Sequence, residues 1–163
     1  MIALVLGGAR SGKSEVAEQL VARSGGPVTY LATGVATDAD MAARIERHRR
    51  RRPPEWTTVE VGGSLAAALD VAEGAALVDS LGTWVAGHEG FSVDAEGLCA
   101  ALVRRRAPTV VVSEEVGLGV HPATESGRLF RDALGALNLA VAEVADPVML
   151  VVAGRVLPLA RPS

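Results

Sequence analysis

An α/β fold, with a mostly parallel sheet flanked by helices, is what this 163-residue sequence predicts. Three observations carry the prediction. Short apolar runs alternate along the chain with segments of helical periodicity. Most of the runs, though not Thr57-Thr58-Val59-Glu60-Val61, are nearly continuous in Val, Leu, Ile and Ala, as strands covered on both faces are. The first run leads directly into a glycine-rich loop that opens a helix.

That first run, residues 2–6, suits a buried strand, and residues 15–22 carry Val16, Ala17, Leu20 and Val21 at helical spacing. Between them lies Gly7-Gly8-Ala9-Arg10-Ser11-Gly12-Lys13-Ser14, a complete G-x-x-x-x-G-K-S phosphate-binding loop. Strand, loop and helix follow in the order such a loop requires, and the fold is therefore expected to be P-loop NTPase-like (RecA-like). The glycines permit backbone angles closed to other residues, and the helix N-terminus adds partial positive charge to the phosphate cradle. Lys13 is the only lysine in the chain, every other basic side chain being arginine. A compact ammonium suits the β- and γ-phosphates where a planar guanidinium would not. Lys13 is thus a candidate catalytic and nucleotide-binding residue, and Ser14 a candidate ligand of Mg²⁺.

Further strands are predicted at 28–32, 57–61, 75–78, 109–112 and 148–153, and helices at 39–51, 65–72, 95–106 and 128–144. A β-α-β-α series of this kind folds as one parallel sheet, and its ligands gather at the carboxyl ends of the strands. Asp79 follows the run 75–78, the place of a Mg²⁺-holding carboxylate in phosphate-loop enzymes. Taken alone it could equally be a helix cap. Glu114 and Glu115 follow 109–112 in the same way and suit either a ligand or solvent.

The helix at 39–51 begins near Asp38 or Asp40, where negative charge complements the dipole, and ends among Arg47, Arg49, Arg50, Arg51 and Arg52. Met41, Ile45 and His48 share its apolar stripe. A packed histidine above a solvated arginine face is one reading. An imidazole nucleophile beside guanidiniums that hold a polyphosphate is the other. Periodicity leaves both open.

Composition bounds the rest. Residues 1–163 form a single nucleotide-binding domain, long enough to bury about 70% of its unfolded surface. One cysteine, Cys99, excludes an intrachain disulfide, and no signal peptide precedes the first strand, so a cytoplasmic location is expected. No apolar run approaches the ~20 residues of a membrane span. The net charge of −3 argues against nucleic acid as a partner.

Along essentially its whole length the chain resembles the bifunctional adenosylcobinamide kinase/adenosylcobinamide-phosphate guanylyltransferases of cobalamin biosynthesis. The resemblance rests on the loop with Ala17-Glu18; Tyr30-Leu31-Ala32-Thr33; Asp40 to Ile45 with His48 and Arg52-Pro53; Trp56-Thr57-Thr58 with Glu60; Glu115 to Val120 with Pro122; Phe130-Arg131-Asp132; and Leu150 to Gly154. The loop alone is generic, whereas the ordered set is specific. The resemblance implies two reactions at one nucleotide site. ATP or GTP phosphorylates the aminopropanol hydroxyl of adenosylcobinamide, and GTP then donates GMP to that phosphate through a GMP-histidine intermediate. It assigns the nucleophile to His48, and contacts with nucleotide, phosphate or metal to Ala32, Thr33, Gly34, Arg49, Arg50, Arg51, Arg52, Glu60 and Asp79. It also implies a homotrimer.

Two stretches depart from the family pattern. Glu114 stands where an asparagine is expected, and Asp79-Ser80-Leu81-Gly82-Thr83-Trp84 stands in place of acidic-Cys-Leu-Thr-x-Trp, with Gly82 weakening a helix start. The alternative function is a simple P-loop small-molecule kinase, which would have no use for a nucleophilic His48; a regulatory nucleotide switch is a third class.

Overall fold

The computed structural model describes residues 1–35 and 39–161, with the side chains of Asp40, Met41, Arg44, Arg47, His48 and Arg51 outside the described set. The strands are β1 (Ile2–Gly7), β2 (Val28–Ala32), β3 (Thr57–Glu60), β4 (Ala75–Asp79), β5 (Thr109–Glu114), β6 (Val148–Val152) and β7 (Arg155–Leu159). They form one sheet in the order β3-β2-β4-β5-β1-β6-β7. Every neighbouring pair is parallel except β6 and β7, which form an antiparallel hairpin at one edge. The fold is of the expected P-loop, RecA-like α/β class.

Side chains alternate across each strand, so a continuously apolar strand feeds two cores. Ala3 and Val5 of β1, Leu77 of β4, and Val110 and Val112 of β5 pack under Ala17 and Val21 of α1 (Lys13–Ala22). Leu4 and Leu6, Ala76 and Val78, and Val111 face the opposite way. There they meet Leu65 and Leu69 of α3 (Leu65–Val71), Leu98 and Leu102 of α5 (Ala95–Arg104), and Leu134 and Leu137 of α6 (Glu125–Val144). Truncating one of these buried leucines to alanine costs about 2–5 kcal/mol. Between α1 and α3 in the chain lies α2 (Ala39–Arg51). Asp38, one of the two acids expected at its start, lies outside the described residues.

Three elements were not anticipated, a short 3-10 helix at Glu89–Phe91 and two longer ones. One is α4 (Leu81–Ala86), which forms despite Gly82 because Ser80 and Thr83 close a capping box at its start. The other is β7, reached through a tight turn at Ala153 and Gly154, both at positive φ. That turn ends β6 one residue short of the expected 153. Helix α6 starts before the expected 128 because the Thr124 side chain accepts a hydrogen bond from the Gly127 amide. Among the described residues no helix is long and apolar enough to cross a membrane.

Strand register sets the carboxyl edge of the sheet. Glu60 pairs with Ala32, Ala32 with Asp79, and Glu114 with Gly7. Asp79 in turn pairs with Val112, so β3, β2 and β4 end at one level while β5 and β1 run two residues further, and the glycine loop rises from the end of β1.

Candidate nucleotide site at the carboxyl edge

Residues 7–12 turn from β1 into α1 in a backbone path that only small residues allow at two points. A Cβ on Gly7 would lie 2.4 Å from Ser11 Oγ and 2.9 Å from the Val151 carbonyl. Gly12 has φ of +92° and faces Gly154, whose Cα lies 3.3 Å from where its Cβ would be. The loop closes on itself through a 3.3 Å bond from the Ser11 amide to the Gly8 carbonyl. It is braced from outside by the Gly154 amide, which donates to the Ser11 carbonyl at 2.8 Å. Ala9 and Arg10 sit on its exposed crest, Arg10 with φ of +56°. Helices α3, α4, α5 and α6 each start on a side-chain cap, whereas α1 starts on Gly12 with none. The positive end of its dipole is left for a ligand.

Lys13 is 4% exposed, its ammonium 3.4 Å from the Gly8 carbonyl and 3.5 Å from Glu114 Oε1. A cleft of about 670 Å³, open solvent included, spreads beside it. Ser14 enters from α1, Ala32 and Gly34 from the end of β2, Glu60 from β3, Asp79 and Ser80 from β4, and Glu114 from β5. Ile45 and Arg49 of α2 and the following Arg52 form the remaining wall.

The wall is held by ion pairs and stacking. Arg49 donates to Glu60 at 2.9 Å, an exposed pair of the kind worth about 0–1 kcal/mol. Arg52 lies 3.4 Å above the Tyr30 ring and donates to Thr58 Oγ1 at 3.3 Å, while its Nε is buried with no partner. One donor of this guanidinium is thus left without an acceptor. Tyr30 is almost fully buried and its hydroxyl donates a hydrogen bond to Asp79 Oδ2 at 2.6 Å. Burial, then the negative charge of Asp79 and this hydrogen bond, push the phenol well above the ordinary tyrosine range, against a smaller pull from Arg52. Tyr30 therefore stays neutral and remains a donor.

Among the described residues no group of three or more His, Cys, Asp or Glu could hold an ion by itself. A hydroxyl on Ser14 and a carboxylate on Asp79 share the cleft. That sparse oxygen set suits Mg²⁺, which keeps waters and takes phosphate oxygens, better than Ca²⁺ or Zn²⁺.

Of the residues singled out in the sequence, Ser14, Ala32, Gly34, Arg49, Arg52, Glu60 and Asp79 meet at this cleft. Thr33 is buried just behind it, its hydroxyl donating to the Ser80 carbonyl at 2.6 Å and accepting from the Ser80 amide. Arg50 instead pairs with Glu46 on the outer surface of α2. The Arg51 and His48 side chains lie outside the described residues; in the helix, position 48 follows Ile45 by three residues and precedes Arg52 by four. The other histidines are engaged elsewhere, His88 with the Trp84 carbonyl at 2.8 Å and His121 with Arg131 at 3.0 Å. Tyr30, Ile45, Ser80 and Thr83 also line the cleft without having been assigned a place in it. Their signal in the sequence was membership of stretches compared with the family, Tyr30 and Ile45 in matching segments and Ser80 and Thr83 in a departing one.

The profile of the family described as cobinamide kinase / cobinamide phosphate guanyltransferase matches residues 3–159. The bifunctional adenosylcobalamin biosynthesis protein CobP of Pseudomonas aeruginosa is 41% identical, over 96% of this chain and 95% of its own length. The corresponding CobU of Escherichia coli is 37% identical, over 94% and 97%. Among solved structures, the flagellar accessory protein FlaH of Methanocaldococcus jannaschii superposes with a TM-score of 0.54 at 12% identity, covering 95% of this chain and 74% of that one. At that identity the likeness concerns the fold alone.

Proposed function

The chain belongs to the cobinamide kinase/cobinamide phosphate guanyltransferase family, and from that premise we propose that the cleft is a single nucleotide site serving two successive transfers, each from its own nucleoside triphosphate. The observation that carries the reading is the meeting of Ser14, beside Lys13, with Asp79 and with Arg49 and Arg52 from the region that bears His48.

In the kinase step the aminopropanol hydroxyl of adenosylcobinamide attacks the γ-phosphorus of ATP or GTP. The new O–P bond forms as the bond to the β-phosphate oxygen breaks, and the hydroxyl proton is released. Lys13 and the loop amides hold the phosphates, and Arg49 and Arg52 face the charge that spreads over the phosphoryl oxygens. Ser14 and Asp79 would hold Mg²⁺, which neutralises phosphate charge when bound.

In the guanylyl step His48, as neutral imidazole, attacks the α-phosphorus of GTP. An N–P bond forms, the α–β oxygen bridge breaks, and pyrophosphate leaves. A phosphate oxygen of adenosylcobinamide phosphate then displaces the imidazole, giving adenosylcobinamide-GDP and restoring His48. Position 48 follows Ile45, which lines the cleft, by three residues in α2, and this supports the assignment, as does the family resemblance. The same reading takes the protein as a cytoplasmic homotrimer.

Incubation with GTP labelled at the α-phosphorus tests it. An acid-labile, alkali-stable label on the protein, discharged by adenosylcobinamide phosphate, is expected. A protein that phosphorylates cobinamide yet never takes the label would be a simple kinase.

A further inference from the structure

The Glu114 carboxylate and the bare Cα of Gly82 occupy a single site. A Cβ built on Gly82 would lie 2.0 Å from Glu114 Oε2 and 2.9 Å from its Cδ. The carboxylate can reach its present place only because residue 82 has no side chain. Once there it is gripped on several sides. Ser80 Oγ donates to its two oxygens at 3.0 and 2.9 Å, and the Gly82 amide donates to Oε2 at 3.0 Å. The Lys13 ammonium lies 3.5 Å from Oε1 and 3.4 Å from the Gly8 carbonyl. Lys13 is buried, so its charge needs a counter-ion while the loop is empty.

We propose that Glu114 is that counter-ion. It holds Lys13 over the empty loop and yields it to the β- and γ-phosphates when nucleotide arrives, with Gly82 as the steric condition for the arrangement. Glu114 is a positioning residue, since it acts through Lys13. Because Ser80 and the α4 amide keep the carboxylate in place after Lys13 leaves, a negative charge stays beside the bound polyphosphate. The pair therefore weakens nucleotide binding by linkage: whatever stabilises Lys13 in the empty site opposes its transfer. It also favours release of the spent nucleotide before the second transfer. The inference rests on the phosphate-loop reading of Lys13.

Nucleotide affinity by calorimetry, with EDTA present to remove divalent metal, gives the test. Glu114→Gln keeps the size and a hydrogen-bond acceptor but removes the charge. It should bind GTP about tenfold more tightly, melt at lower temperature when empty, and show a larger thermal shift on adding nucleotide. Unchanged or weaker affinity would overturn the proposal, as would tightening seen only with Mg²⁺, which would make the carboxylate's action a metal effect. A purely structural role would lower both melting temperatures equally. Gly82→Ser supplies a second route should the first variant fail to fold. Its Cβ displaces the carboxylate, and combined with Glu114→Asn, whose shorter side chain vacates the space, it should do far less harm than the sum of the two single changes. Simple additivity would deny the pairing. Normal nucleotide binding by Lys13→Ala would instead remove the phosphate-loop reading itself, an outcome distinct from a silent Glu114→Gln.

Discussion

Tyr30 and Asp79 are joined by a 2.6 Å hydrogen bond across adjacent parallel strands. Tyr30 stands opposite Leu77 in the register, so Asp79, two residues on, projects from the same face of the sheet. A phenol that cannot ionise at working pH thereby fixes the orientation of the one β4 carboxylate at the cleft.

Tyr30→Phe should therefore cost about 1.5 kcal/mol of stability, the worth of a hydrogen bond to a charged group. The cost should depend on pH. The folded phenol is raised above its ordinary value of 10.0, so its contribution is complete below that pH and is lost as pH climbs above it, where only the unfolded chain ionises. Tyr30 is the sole tyrosine. Urea melts of both proteins should converge as pH passes about 10; a gap of constant size would mean that the bond carries no linkage.

Lys13→Ala should lower the rate of both transfers by roughly 10²- to 10³-fold, the usual effect of removing a preorganised charge from a phosphoryl-transfer site. Circular dichroism should show the fold intact. Wild-type turnover in this variant would exclude Lys13 from phosphate binding.

Asp79→Asn should raise the Mg²⁺ concentration needed for half-maximal rate about tenfold or more, with little change in the affinity for metal-free nucleotide. An unaltered Mg²⁺ titration would reduce Asp79 to the partner of Tyr30.

His48→Ala should take no GMP label and transfer no guanylyl group, while cobinamide phosphorylation persists, because a γ-phosphoryl passes directly to its acceptor. His88 and His121 bond to the Trp84 carbonyl and to Arg131 and do not line the cleft. Peptide mapping that finds the label on either of them would relocate the nucleophile.

Strands β1, β4 and β5 and the longer helices were legible because burial on both faces writes itself as unbroken apolar runs, and helical faces as 3.6-residue spacing. Helix α4 was not, being six residues long with glycine in its first turn; its start depends on Ser80 and Thr83, whose pairing is visible only once folded. Strand β7 was hidden by Pro158 and by lying exposed at the sheet edge, where no burial pattern is imposed. The site divides in the same way. A contiguous loop announced Lys13 and Ser14, whereas Tyr30 acts on a residue 49 positions away and Glu114 meets Gly82 across 32. Those contacts arise from strand order, which local sequence does not encode.

The backbone bond from Gly154 to Ser11 makes the β6–β7 hairpin a buckle on the phosphate loop, joining the opening of the chain to its final turn. Whatever loosens this hairpin therefore also loosens the loop it braces, although the two lie at opposite ends of the sheet-forming sequence.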